Sequence, residues 1–219
     1  MVAQAAVVVN NLGNFFWQEF MVPWRMEKVT RREVAKDLKI GIISDTHGSA
    51  LAWDEASKYF QGSQLVLHGG DVLYHGPRNP LPQGHGPMRL VELLNASPWP
   101  VVISQGNCDA QIDLELLSWP VNQPYALVKI EGLKILLSHG HLGEVQLERW
   151  AQKFGAQLVV SGHTHQYKLM ERGGVVFLNP GSPSLPKGGP PSIAVVEAGV
   201  AKIISLEDGS TLTMLALGS

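Results

Sequence analysis

Five short apolar runs in this chain each end in a cluster of Gly, Asp, His or Asn, and that recurrence narrows the fold more than any other feature. Leu38–Ser44 runs into Asp45-Thr46-His47, Leu65–His68 into Gly69-Gly70-Asp71, and Val101–Ser104 into Gly106-Asn107-Cys108-Asp109. Lys134–Leu137 ends in Ser138-His139-Gly140-His141, and Gln157–Ser161 in Gly162-His163-Thr164-His165. Apolar runs of this length, bounded by turn residues, read as buried strands. Helical patterns at Ala50 to Phe60 and Met88 to Asn95 separate the first three, and strands alternating with helices imply βαβ units and a parallel sheet. In such sheets ligands bind beyond the carboxyl ends of the strands, so five clusters far apart in sequence can converge on one place.

The second half adds β pattern. Ala126–Ile130 and Lys134–Leu137, joined through Glu131-Gly132-Leu133, predict a hairpin. Glu144 to Phe154 predicts a helix with Val145, Leu147, Trp150, Ala151 and Phe154 on one face. Val175–Leu178, Ser192–Glu197, Ala201–Leu206 and Leu212–Leu217 are further strand candidates. Residues 37–219 are therefore expected to form one α/β domain with two sheets. Residues 1–36 read differently, with an apolar run from Ala5 to Val9 and an aromatic cluster of Phe15, Phe16, Trp17, Phe20 and Trp24. The first charged side chain is Glu19, whereas a secretory leader carries positive charge ahead of its apolar core. The segment is expected to be a poorly ordered extension, or sequence ahead of a true start at Met21 or Met26. The alternative is an aromatic segment that binds a partner or a membrane surface.

Composition removes several function classes. A net charge of −2 offers no basic excess for a nucleic-acid backbone, so no nucleic-acid partner is expected. No apolar stretch approaches the ~20 residues of a membrane span. A single cysteine excludes an internal disulfide and a thiolate-cage zinc site, and fits a cytoplasmic location.

The residues at the strand ends have the chemistry of metal ligands. Asp45, His47, Asp71, Asn107, His139, His163 and His165 offer imidazoles, carboxylates and one amide oxygen, a set that suits manganese, iron, zinc or similar ions. Seven ligands exceed one ion and suit two ions ~3.5–4 Å apart that share a carboxylate and a hydroxide. One residue separates Asp45 from His47 and His163 from His165, a spacing that in extended chain puts both side chains on one side. Each residue alone has a plainer use: Asp45 and Asp71 can cap helices and Asn107 can hold a turn. That plainer use would have to recur at five strand ends.

In this order, Asp45-x-His47, Gly70-Asp71, Gly106-Asn107-Cys108-Asp109, Ser138-His139 and Gly162-His163-x-His165 resemble the calcineurin-like metallophosphoesterase superfamily. The loop Gly70-Asp71-Val72-Leu73-Tyr74-His75-Gly76-Pro77-Arg78-Asn79 resembles its small bacterial phosphodiesterase branch. So do Asn179-Pro180-Gly181-Ser182 and Pro186-Lys187-Gly188-Gly189. The likeness runs from Leu38 to the C-terminus. It implies a four-layer α/β/β/α sandwich with a dinuclear site at the strand carboxyl ends. One ion would take Asp45, His47, Asp71 and His165, and the other Asp71, Asn107, His139 and His163, with manganese the expected metal and other divalent transition metals open. The implied activity is hydrolysis of a small phosphoester, a diester by the branch, through a hydroxide that bridges the ions. Monoester or nucleotide hydrolysis on the same site is the alternative within enzymes, and a non-catalytic scaffold is the alternative outside them. Self-association is left open.

Four catalytic positions follow from the same likeness. Asp71 bridges, Asn107 completes one ion's shell, and Cys108 stands where many members carry a histidine that protonates the leaving oxygen. His141 follows ligand His139 by two residues, and its role is split between catalysis or phosphate contact and structure. Arg78, in the Pro-rich loop from Val72 to Pro87, is a candidate phosphate contact, the alternative being a solvated arginine. Asp109 is expected to orient its loop, His68 to be packed, and His75 and His85 to face solvent.

Overall fold

Ile40 and Ile42 point to one side of their strand, Gly41 and Ile43 to the other, and this alternation sets the layering of the molecule. The computed structural model describes residues 5–8 and 37–217. Its elements are, in order, β1 (Ala5–Val8), β2 (Lys39–Ile43), α1 (Ala50–Ser57) with a 3₁₀ turn Lys58–Phe60, β3 (Leu65–His68), α2 (Pro87–Asn95) and β4 (Val101–Ser104). There follow α3 (Gln111–Leu116), β5 (Val121–Asn122), β6 (Ala126–Ile130), β7 (Leu133–Leu137), α4 (Glu144–Phe154) and β8 (Leu158–Val160). The last are β9 (Tyr167–Arg172), β10 (Val175–Pro180), β11 (Ser192–Glu197), β12 (Val200–Ser205) and β13 (Thr211–Ala216).

Two mixed sheets stack face to face. The seven-stranded sheet has the order β13-β12-β11-β2-β3-β4-β5 and the six-stranded sheet β1-β6-β7-β8-β10-β9. Ile40, Ile42, Leu65, Leu67, Ala194 and Val196 of the first meet Val128, Ile135, Leu137, Leu158, Val160 and Leu178 of the second. On the outer face of the seven-stranded sheet, Ile43, Val66, Val101 and Ile103 pack against Trp53, Phe60, Leu90 and Leu94 from the α1–α2 layer. On the outer face of the other, Leu127, Leu136 and Val159 pack against Leu147 and Ala151 of α4. The architecture is the four-layer α/β/β/α sandwich. Gly41 is required because any side chain there would collide with the buried ring of Phe60, whose burial contributes roughly 1.5–3 kcal/mol.

Three short elements and one strand edge escape the sequence pattern. α3 and β5 are brief, β9 is a half-exposed edge strand without clean alternation, and β1 pairs antiparallel with β6 from Ala5↔Ile130 to Val8↔Leu127. The remainder of residues 1–36 lies outside the described residues. In α4, Val145 is 64% exposed and not on the buried face: two positions before Leu147 is about 200° around the helix.

The topology gathers the five polar clusters. β2, β3 and β4 are parallel neighbours in one sheet, and β7 and β8 are parallel neighbours in the other. Their carboxyl ends meet where His139 Nδ1 hydrogen-bonds to the Gly69 carbonyl at 2.7 Å, linking the two sheets.

Candidate metal centre

The backbone at the strand ends is left-handed, not extended. Asp45, His47, Asp71, His163 and His165 have φ of 55°, 48°, 54°, 70° and 59°. The only other non-glycine residues with positive φ among the described residues are Glu131 and Ala198. The expectation that Asp45/His47 and His163/His165 lie in extended chain is therefore corrected; the strands stop at Ile43 and Val160. Left-handed non-glycine residues cost roughly 1–3 kcal/mol each and persist where surrounding contacts over-determine them. Those contacts include Asp45 N–H to Gly70 O at 2.9 Å, His47 N–H to Asp71 O at 3.0 Å and Gly48 N–H to Val72 O at 2.7 Å. Of the glycines beside the site, Gly70 has φ of 96° and supplies a turn. Gly106 and Gly162 serve close approach instead, because a Cβ there would strike the Asp71 and Asp45 carboxylates.

Neither aspartate caps a helix. Ser49 caps α1, accepting from Ala52 N–H at 3.1 Å, and Asp71 leads into a long loop. The carboxylates instead face histidines. Asp45 Oδ1 lies 3.5 Å from His165 Nε2 and 3.9 Å from His47 Nε2. Asp71 presents Oδ1 to His139 Nε2 at 3.4 Å and Oδ2 to His47 Nε2 at 3.9 Å, so its two oxygens address two histidine groups. Asn107 Oδ1 is 3.1 Å from His139 Nε2. His163 is exposed, its ring centroid 5.2 Å from that of His139, while its N–H donates to the Asp45 carboxylate at 3.0 Å. Potential ligand atoms within 4.8 Å of one another group Asp45, His47 and His165, and separately Asp45, Asp71 and His139.

Three rings are aimed by backbone carbonyls. Nδ1 of His47, His139 and His165 meets the carbonyls of Tyr74, Gly69 and Leu185 at 2.8, 2.7 and 2.6 Å. A carbonyl only accepts, so each Nδ1 carries the hydrogen and each Nε2 turns a lone pair inward when the ring is neutral. His47 Nε2 and His165 Nε2 then face each other at 3.0 Å. Two lone pairs at that range need a cation between or beside them, which is the fit a metal requires.

The electrostatics agree. Burial pushes Asp45 up to about 7, against the lowering effect of His139 and Ser44. Burial works to raise Asp71 too, but the hydrogen bond and charge of His139 hold it below the usual carboxylate range. His139 rises to about 9, its burial outweighed by Asp71 and Asp45. Burial lowers His165 to about 4 and also lowers His47 and His163. Without cations, then, His139 is the histidine of this group held protonated, and it faces the Asp71 carboxylate.

A family model described as the calcineurin-like phosphoesterase superfamily domain matches residues 38–199. The chain belongs to the calcineurin-like phosphoesterase superfamily. It is 38% identical over 184 residues to phosphodiesterase YfcE of Escherichia coli, a match covering 82% of this chain and 98% of that one. A solved YfcE structure, described as a phosphoesterase, superposes with a TM-score of 0.74 at 36% identity over 82% of this chain and all of that one. Vacuolar Protein Sorting 29 from Cryptosporidium parvum shares the fold at 25% identity and a TM-score of 0.62, covering 83% of this chain and 98% of that one. As a member of this superfamily of metallophosphoesterases, the chain has a site suited to divalent metal ions.

The other singled-out residues lie around this candidate site. Asp109 accepts from three backbone amides, Asp71 and Gly106 through Oδ2 at 2.9 and 2.7 Å and Val72 through Oδ1 at 2.7 Å. It therefore ties the Asp71 loop to the Asn107 loop. His68 is buried, accepting from Gly70 N–H at 3.1 Å and bonding Thr46 Oγ1 at 3.0 Å. Cys108 donates its N–H to Asp71 Oδ1 at 2.8 Å, and burial with the Asp71 charge pushes its thiol up to about 12. His141 is exposed, its ring 5.6 Å from His139 and 6.3 Å from His163. Arg78 is exposed and has no ion pair among the described residues. His75 and His85 are half-buried, not solvated: their rings meet at 5.7 Å, and His85 Nδ1 bonds the His47 carbonyl at 3.2 Å. The Pro-rich loop is thus a strap across the Asp45–His47 turn, with Ser49 Oγ donating to Gln83 O at 2.6 Å. Sequence reasoning gave no role to Ser182 and Ser184, which donate to the Asp45 carbonyl at 2.8 and 3.0 Å.

Proposed function

We propose that this chain is a metal-dependent phosphodiesterase whose site holds two divalent ions, manganese being the first choice, on Asp45, His47, Asp71, Asn107, His139, His163 and His165. The observation that carries the reading is Asp71, whose two carboxylate oxygens face His139 on one side and His47 on the other. That is the arrangement a shared ligand needs. Ions bound there supply Lewis acidity toward phosphoryl oxygens and water activation near neutral pH.

The chain's own residues contribute position and protonation. The carbonyls of Tyr74, Gly69 and Leu185 keep three rings in the tautomer that directs Nε2 inward. Asp109 fixes the spacing of Asp71 and Asn107 through shared amide hydrogen bonds. Cys108 stays a neutral thiol, a weak proton donor to oxygen. His141, beside His139 and His163, is the rival donor and a second phosphate contact; Arg78 is assigned to the substrate from the loop.

The substrate is read as a small phosphoester, with diesters favoured by the name of the 38% identical relative. Monoester hydrolysis is the rival enzyme reading. A scaffold role is supported only by the fold shared with Vacuolar Protein Sorting 29. The single cysteine fits the reducing cytoplasm, where we place the protein. No helix among the described residues is long and apolar enough to cross a membrane.

The test is a panel of diesters, monoesters and cyclic nucleotides with the protein reconstituted in Mn²⁺, Zn²⁺, Fe²⁺ or Mg²⁺. Metal-dependent turnover is expected, diesters first. No turnover with any ion would leave the scaffold reading standing, and higher kcat/KM on monoesters would change the substrate class.

A further inference from the structure

The segment after β10 has no catalytic part in the reading above, yet it is fastened to the site at several points. The Ser182 and Ser184 hydroxyls hold the Asp45 carbonyl, and the Leu185 carbonyl accepts from His165 Nδ1 at 2.6 Å. Two residues on, the Lys187 N–H donates to the His165 carbonyl at 3.0 Å. Pro186, with its fixed φ, separates these two contacts. Beyond them the Tyr167 ring lies where a Cβ on Gly189 would fall at 2.7 Å, which closes the segment from the far side. A lysine thus leaves a backbone held on both sides by one candidate ligand.

Among the described residues its charge meets no carboxylate. Lys39, Lys58, Arg89, Lys168, Arg172 and Lys202 all pair with glutamates. Lys187 is exposed and pairs with no carboxylate among the described residues. The backbone bond to His165 sets Lys187 beside the group of Asp45, His47 and His165. An unpaired cation at the rim of a site that collects cations raises the local potential for anions.

We propose that Lys187 binds an anionic group of the substrate, so that the site favours phosphoesters carrying a second negative charge next to the scissile phosphorus. This rests on the phosphoesterase reading and names the substrate class within it. Two divalent ions with Asp45 and Asp71 leave two positive charges, which a hydroxide and a singly charged diester balance. Lys187, like the exposed Arg78 of the loop, adds positive charge beyond that balance. A diester with a neighbouring carboxylate or phosphate matches it, and a phosphomonoester dianion is its simplest binding probe. An ammonium is a compact point charge with three donors, suited to phosphate oxygens without demanding one orientation.

The experiment uses the full chain loaded with Mn²⁺, its Lys187→Gln variant and Lys187→Arg. Binding of phenyl phosphate and of diphenyl phosphate is measured by titration calorimetry at about pH 8, where the former is a dianion and the latter a monoanion. Lys187→Gln should raise the phenyl phosphate Kd about 10-fold, the size of one lost charge-assisted hydrogen bond. The diphenyl phosphate Kd should rise by a clearly smaller factor, and Lys187→Arg should restore most of the dianion preference. Kinetics on bis(p-nitrophenyl) phosphate with phenyl phosphate as inhibitor give a second readout in Ki. Equal weakening of both ligands, or no weakening of either, overturns the proposal while the wild type remains active. A wild type that hydrolyses no phosphoester with any divalent ion sinks the phosphoesterase reading and this proposal together.

Discussion

His47 Nε2 and His165 Nε2 face each other at 3.0 Å while both rings spend their Nδ1 hydrogens on backbone carbonyls. Burial lowers both pKa values, His165 to about 4, so a shared proton is a poor solution near neutral pH. A metal cation is the better one.

Chelation should therefore abolish hydrolysis and destabilise the fold. At roughly a hundredfold excess over Kd, a single bound ion contributes about 2.7 kcal/mol to the folded state. The melting temperature should rise by several degrees on adding Mn²⁺ to the metal-free protein and fall back with a chelator. A melting temperature indifferent to Mn²⁺, Zn²⁺ and Fe²⁺ would contradict the assignment of these residues as ligands.

Asp71 and Asn107 separate the roles of the two ions. Asp71→Ala removes a carboxylate that addresses both histidine groups, and kcat/KM should fall by well over about 10²-fold. Asn107→Ala touches only the His139 side, so high Mn²⁺ should rescue part of its activity. Metal content by elemental analysis checks both. Two ions per chain and normal turnover in Asp71→Ala would remove the bridging assignment.

His68, which is not among the proposed ligands, predicts an acid limb of stability. Burial lowers its pKa from the model-peptide value of 6.5 to about 3. The folded state therefore keeps the ring neutral while the unfolded chain binds a proton below 6.5, and the unfolded state holds more protons between those values. Stability contributed by the neutral ring is complete above pH 6.5 and is lost as pH falls toward 3. His68→Asn keeps an acceptor for Gly70 N–H and cannot titrate there, so its urea-unfolding free energy should fall less steeply with acid than the wild type's. Parallel curves would show that His68 is already protonated in the native state.

Cys108 predicts leaving-group dependence. A thiol pushed up to about 12 gives little proton to a departing alkoxide, so aryl esters should be cleaved well and alkyl esters slowly. Cys108→His should improve alkyl esters selectively, by up to about 10²–10⁴-fold. The measurement is rate against leaving-group pKa for wild type, Cys108→His and His141→Ala. A flat wild-type series that steepens only in His141→Ala would identify His141 as the working acid.

The segment before the domain gives a fifth expectation. Among the described side chains the buried clusters begin at Leu38, and the family match spans 38–199. A chain starting at Asp37 should unfold cooperatively and keep its metal-dependent diesterase activity, while losing the β1 pairing along β6. Loss of the cooperative transition in guanidinium would show that residues 1–36 complete the core.

Much of the fold was legible because burial leaves a local trace. β3, β4, β6, α4 and β11 fall where apolar runs and helical periodicity put them, since each is covered on its faces by other layers. The exposed edge β9 and the two-residue β5 carry too little buried surface to mark the sequence. The residue types at the five strand ends likewise announced metal chemistry, because Asp, Asn and His side chains are what such ions bind.

What tertiary structure alone decided was how those side chains are aimed. The groups that orient His47, His139 and His165 are backbone carbonyls, and a carbonyl has no residue identity for a sequence to display. The left-handed turns at Asp45, His47 and Asp71 are held by amides and carbonyls from loops some 25 residues away in the chain, so local propensity, which disfavours them, gives no warning. Lys187 is the same case. Sequence names a lysine in a Pro-Gly segment; only the fold brings its backbone to His165, because that contact is made by closing the chain across two strands.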